Sequence, residues 1–208
     1  MSETADQDRG LAIWSNEKGH VDELLYMARN LEKVYQHVEN IAVGGRIKAD
    51  EHPLLILSGS RVVELRAGGG VGRDDRRVID YRTSNGSSYP DRFHHDSFVS
   101  EPGAQRVIEP DGTITITTHR ILFSSPTWNR VWEYAQTDEV FHADSVGQGW
   151  GASFVSVANR KKTSGFMYRS GFARSVRDRL VLALAVADGT LEDMVLALKA
   201  EKAELDRA

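Results

Sequence analysis

His94, His95 and Asp96 are consecutive, and together with His119 and His142 they are the side chains of this sequence best suited to hold a metal or move a proton. Their spacing argues against a preformed site. Neighbouring residues on a strand point to opposite faces, and no HExxH or comparable helical spacing accompanies them, so polar loop histidines are the simpler reading. The chain has no cysteine, which removes thiolate zinc ligands and the thiolate nucleophile, and no GxSxG elbow is present. Ala67 to Arg77, "AGGGVGRDDRR", is glycine-rich like a phosphate loop but lacks the Lys-Ser/Thr that would reach a nucleotide. Asp74 with Asp75, and Asp138 with Glu139, fall in turns where acids are common. An enzyme would have to be built from His and Asp on the 84–112 segment; this stands as the alternative to a non-enzymatic reading. No cofactor or metal is expected.

The run Asn159 to Arg179, "NRKKTSGFMYRSGFARSVRDR", concentrates charge: it carries seven Lys or Arg against one Asp in a chain whose formal net charge is -4. Arg160, Lys161, Lys162, Arg169 and Arg174 are therefore the candidate anion-binding residues. Each such cation is worth roughly 1 kcal/mol near an anionic leaflet. A solvated turn and helix start is the competing reading. Among the tryptophans, Trp128 lies in the turn "SSPTWN" and is the candidate exposed aromatic for a protein contact, whereas Trp132 and Tyr134 share a strand parity and point to the core. With pI near 6.0, a general nucleic-acid coat is disfavoured, and the 159–179 run is the only basis for a nucleic-acid binder.

These residues need elements to hold them. The expected layout is a polar leader over 1–16, an amphipathic helix and linker over 17–50, a β domain over 51–187 and a last helix over 188–208. Leu24, Leu31 and Val38 recur at heptad spacing with Ala28, Tyr35 and Ile41 beside them, giving a helix face for the chain's own core or for a homodimer contact. "VGGR", 43–46, would stop it. From Leu54 to Tyr168 short apolar runs alternate with Gly, Pro, Asn and Asp, the pattern of a many-stranded antiparallel sheet. Residues 84–112 read mainly as loop, with a short strand near Phe98. In "GTITITTHRILF" Ile114 and Ile116 have even parity, Ile121 and Phe123 odd, so a reversal at Thr118–Arg120 is needed to turn all four inward. Phe172, Val176, Leu180, Leu184 and Ala187 form a helical stripe that should close the sheet. Gly189 should cap it, and Thr190 with Asp193 should form a capping box for the last helix.

Gly112, Thr113, Ile114, Ile116, Thr117, Arg120, Ile121 and Phe123 resemble the glycine, strand, Thr-x-x-Arg and apolar-x-Phe hairpin of GRAM and bacterial PH-like domains. "NRVWEYA" stands where those domains place their next strand, and "SVANRKKTSGFMYR" where they place the last hairpin before the helix. The resemblance covers Leu54 to Ala187. It implies an α+β fold, a mainly antiparallel PH-like β-barrel or sandwich closed by a C-terminal helix, with an extra helix at each end. It also implies a binding module with a regulatory or scaffolding role, whose partner is a protein or an anionic lipid surface. Without cysteine, a signal-like start or an 18-residue apolar window, the expected location is cytoplasmic or peripheral at a membrane, with nothing transmembrane.

Overall fold

A computed structural model describes residues 18–39, 47–48, 50–65, 72–73, 92–95, 98–99, 105–158 and 163–207. Helix α1 covers 18–29 and α2 covers Leu31–Glu39. The strands are β1 Pro53–Leu65, β2 Gly72–Arg73, β3 Phe93–His95, β4 Phe98–Val99, β5 Gln105–Thr117, β6 Arg120–Ser124, β7 Asn129–Glu133, β8 Thr137–Ala143, β9 Trp150–Val157 and β10 Ser164–Arg169. Helices α3, Ala173–Ala187, and α4, Leu191–Leu205, follow.

Eight strands form one sheet in the order β3-β8-β9-β10-β1-β5-β6-β7, antiparallel throughout except for the parallel β3–β8 pair. Two meanders, β1-β5-β6-β7 and β8-β9-β10, are joined where the first strand pairs with the last, and α3 packs into the same core as the sheet. This is an α+β arrangement, a mainly antiparallel sheet with helices packed on it. The ladder stays open, with β3 and β7 at its edges.

"LLIL" and "RVVEL" do not form separate strands as the sequence suggested; they are halves of β1. Gly59, at φ 69°, is an extra residue between the Ser58–Thr113 and Ser60–Gly112 pairs, so the strand bulges and bends instead of breaking. A second irregularity, between the Ser60–Gly112 and Val62–Glu109 pairs, absorbs Pro110, which has no amide hydrogen to donate. The last part of the expected 84–112 loop, from Gln105 on, is consequently strand β5. Short β3 and β4 occupy part of the remainder.

The reversal at Thr118 is present. β5 ends at Thr117, β6 starts at Arg120, and Ile114, Ile116, Ile121 and Phe123 are all essentially sealed. Each apolar side chain buried there contributes about 1.5–3 kcal/mol, which makes this hairpin the centre of the core. Gly112 lies directly beneath the Phe123 ring, so that even a methyl group would collide with it.

The N-terminal helix differs from expectation in being broken at Asn30. The Asn30 side-chain amide donates to the Tyr26 carbonyl at 2.8 Å, while its own carbonyl accepts from Lys33 and Val34 as α2 starts. Val21, Leu24, Leu25, Met27 and Ala28 are buried in the same core as the sheet, so that face of the heptad is occupied within the chain. The Val38 side chain, Ile41 and the "VGGR" stop lie outside the described residues.

The α3 stripe also needs revision. Val176, Leu180 and Leu184 are sealed, but Phe172 is 46% exposed and Ala187 faces solvent, whereas Val181, Leu182, Ala183 and Ala185 are buried as well. The helix is wedged between the sheet and the helices α1 and α4, so most of its circumference is interior. Gly189 ends it at φ 70°, as expected. Thr190 is the N-cap of α4 but makes no side-chain capping bond, and its Oγ1 is buried without a partner. The expected capping box is not formed.

Candidate binding surface

Strand β10 is the ruler for the candidate site, because Arg160, Lys161 and Lys162 precede it while Arg169 ends it and Arg174 follows in α3. Six residues of strand separate its ends by roughly 17 Å. Arg169 and Arg174 therefore belong to the helix end of the sheet, and the chain enters β10 from 160–162 at the other end. Arg160, Lys161 and Lys162 themselves lie outside the described residues.

At the entry end Thr163 accepts a hydrogen bond from the Leu65 backbone, 3.1 Å, where β1 finishes. The β6–β7 turn meets the same corner. Ser125 Oγ accepts from the Trp128 amide at 2.9 Å, folding the turn back so that the Trp128 ring packs on Phe123, with centroids 6.2 Å apart. Trp128, expected to be exposed, is half-buried for that reason. Arg130 spans from the Trp128 and Trp132 rings to Ser164, whose Oγ accepts from Arg130 Nη2 and from the indole Nε1 of Trp132, each at 3.0 Å. Sequence reasoning passed over Arg130, since nothing in "SPTWNR" shows that a residue 34 positions away closes the corner.

At the helix end Arg169 is exposed and rests on Trp150, 4.4 Å from the ring centre. Arg174 approaches Glu23 at 3.9 Å and Asp178 at 4.0 Å. Those contacts answer the unfavourable placement of a cation in the first turn of a helix. Asp178 is nearly sealed, with Arg177 at 3.3 Å and His20 at 3.5 Å; burial outweighs its arginine neighbours and pushes its carboxyl up to about 6.

The histidines of the enzyme reading are distributed differently. His142 is sealed inside, where Nδ1 meets Ser153 Oγ at 2.9 Å and Tyr168 OH at 3.1 Å, and Nε2 meets Asp144 Oδ1 at 3.0 Å. The sequence Ser153, His142, Asp144 has the connectivity of a nucleophilic triad, yet Ser153 and His142 have no exposed surface for a substrate to reach. Burial drives the Tyr168 phenol far above its usual range, so its hydroxyl remains a hydrogen-bond donor. The cluster is a satisfied polar network in the core. His119, in the β5–β6 reversal, bonds Thr118 Oγ1 at 2.8 Å and faces Asp50. The backbone of His95 pairs with that of His142 across β3–β8, the His94 and His95 side chains are not among those described, and Asp96 lies outside the described residues. Among the described residues no group of three or more His, Asp or Glu could hold a metal ion.

No family model matches this chain, and no curated protein matches it. Among solved structures it is similar to the Vps36 N-terminal PH domain, with 10% identity and a TM-score of 0.38, over 73% of this chain and 86% of that one.

Proposed function

We propose that this chain is a non-enzymatic, GRAM-like binding module with a scaffolding role, whose basic run Arg160–Lys162, flanked by Trp128, engages an anionic membrane surface. The observation that carries the reading is the corner formed by Trp128, Arg130 and Ser164, which fixes the start of β10, the strand that directly follows the basic run in the sequence. Electrostatic attachment needs charge on a firm base more than it needs a pocket. Among the described residues no helix is long and apolar enough to cross a membrane, so attachment would be from one side. Arg169 and Arg174 join this reading only as a more distant part of the positive field.

Vesicles with and without phosphatidylserine test it across a salt series. Wild-type protein should sediment with the anionic vesicles and release as salt rises, and Lys161→Glu with Lys162→Glu should weaken that at least about tenfold with an unchanged Tm. Equal binding by both forms would overturn the proposal. Binding to an acidic protein in place of vesicles would redirect it to a protein partner.

A further inference from the structure

Trp150 begins β9, lies cross-strand from Arg169 on β10, and is 7% exposed. Arg61, on the adjoining β1, pairs with Met167, two residues from Arg169 on the same face of β10. Both guanidinium groups rest on the one indole: the Arg61 Cζ is 4.1 Å from its centre and the Arg169 Cζ 4.4 Å. Two like charges share a single ring. Among the described residues neither has a carboxylate partner, although arginines elsewhere in the fold pair with Glu51, Asp144, Asp178 or Asp188. The Arg61 Nε is sealed from solvent and has no acceptor among the described residues.

A guanidinium lying on an aromatic ring uses its π face and keeps its N–H edges for in-plane acceptors. Packing against the indole also pins the long side chain, which lowers the entropy lost on binding. Such an arrangement recognises planar carboxylates in two-point fashion. The two charged centres are closer to each other than two strand spacings, roughly 10 Å, and carboxylates at alternate positions of an extended chain are roughly 7 Å apart on one face. An anionic leaflet makes no use of pinned planes.

We infer that Arg61, Trp150 and Arg169 form a docking site for an extended acidic protein segment carrying carboxylates at alternate positions. The site lies at the helix end of β10, away from the loop that carries Arg160–Lys162, and does not depend on that loop's role. Its polar edge is the pair of guanidinium groups, and its floor is Trp150 over Met167. An acidic segment seated there would neutralise the two guanidinium charges.

The test uses the full chain and a synthetic peptide with glutamate at alternate positions, compared with the same peptide carrying glutamine. Binding is measured by calorimetry, and the Trp150 indole Nε1–H signal, assigned with Trp150→Phe, is followed by NMR. The glutamate peptide should bind and shift that signal; the glutamine peptide should do neither. Arg61→Gln with Arg169→Gln should weaken binding at least about tenfold. Arg61→Lys with Arg169→Lys keeps the charge but not the planar stack, and should also lose most of the affinity while retaining the wild-type Tm. The vesicle-binding variant Lys161→Glu with Lys162→Glu should bind the peptide normally, which separates this site from the loop. Equal binding by the arginine and lysine pairs would overturn the proposal. So would equal affinity for both peptides, or a Trp150 response to anionic vesicles or inorganic phosphate that the glutamate peptide does not elicit.

Discussion

Glu51 and Arg120 form a two-point ion pair with both bonds at 2.8 Å, Nε to Oε1 and Nη2 to Oε2, and the Glu51 side chain has no solvent exposure. Thr117 Oγ1 adds a bond to Oε1 at 2.6 Å, and the Lys48 amide donates to Oε2 at 3.1 Å. The pair fastens the segment leading into β1 to the β5–β6 reversal. Burial alone would raise the Glu51 pKa, but the bonds from Arg120, Thr117 and Lys48 together hold it below the ordinary glutamate value. Arg120→Ala would leave an uncompensated buried carboxylate and should lower stability by about 3–5 kcal/mol, read from urea denaturation at neutral pH.

The acid limb carries the second prediction. A carboxyl whose folded pKa lies below its unfolded one stabilises fully above the unfolded value of 4.5, and that stability is lost as pH falls through the folded value. Glu51→Gln should therefore be destabilised at neutral pH and lose its deficit relative to wild type on acidification. A deficit constant from pH 7 to pH 3 would show that Glu51 acts only through packing.

Asp178 has the opposite sign. Its folded value, about 6, lies above the ordinary 3.8, so the native state holds the proton longer, and stability declines as pH rises through the interval between those values. Asp178→Asn should flatten the stability profile between about pH 4 and 6, by roughly 1–3 kcal/mol across the interval. Tm measured at half-unit steps of pH checks this.

Gly165 on β10 has the Ser153 carbonyl and the Phe154 Cα of β9 where a side chain would begin. Backbone on a central strand cannot give way as a side-chain tip can. Gly165→Ala should cost at least about 1–3 kcal/mol and raise the fraction aggregated on expression, while Gly171→Ala, which meets open space, should do neither.

Tyr168→Phe removes one of three partners from the Ser153–His142 cluster without changing its shape. A loss of about 1–3 kcal/mol in denaturant midpoint, with no change in vesicle or peptide binding, is expected. Any change in ligand binding would mean that the network is not confined to the core.

Patterns of period two and local turn chemistry made the β5-β6-β7 meander legible: the parities of Ile114, Ile116, Ile121 and Phe123 alone require the reversal at Thr118. Gly189 was readable for the same local reason. Gly59 was not, because a bulge within a strand and a turn between two strands use the same residue type, and only the partner strand decides between them. Phe172 belonged to a sound helical stripe, yet the helix begins one residue too late to turn it inward. The basic run was visible as composition, but its partition to the two ends of β10 depends on the strand direction. Arg61 and Trp150 were missed as a site altogether: 89 positions separate them, and no local signal links a β1 arginine to the start of β9.

Strand β1 pairs with β5 on one side and with β10 on the other, about a hundred residues further along the chain. During synthesis the first meander can form while its founding strand still lacks a neighbour, and that raw edge persists until Ser164–Arg169 has left the ribosome. Arg179 donates to the Leu54 carbonyl at 3.2 Å and also reaches the Met27 sulfur, so the helix that follows β10 locks both N-terminal pieces at the same moment. Completion of the sheet and capture of the N-terminal helix thus become one late, cooperative event, which makes folding slow for the chain's length and leaves nascent chains ending before β10 exposed to aggregation.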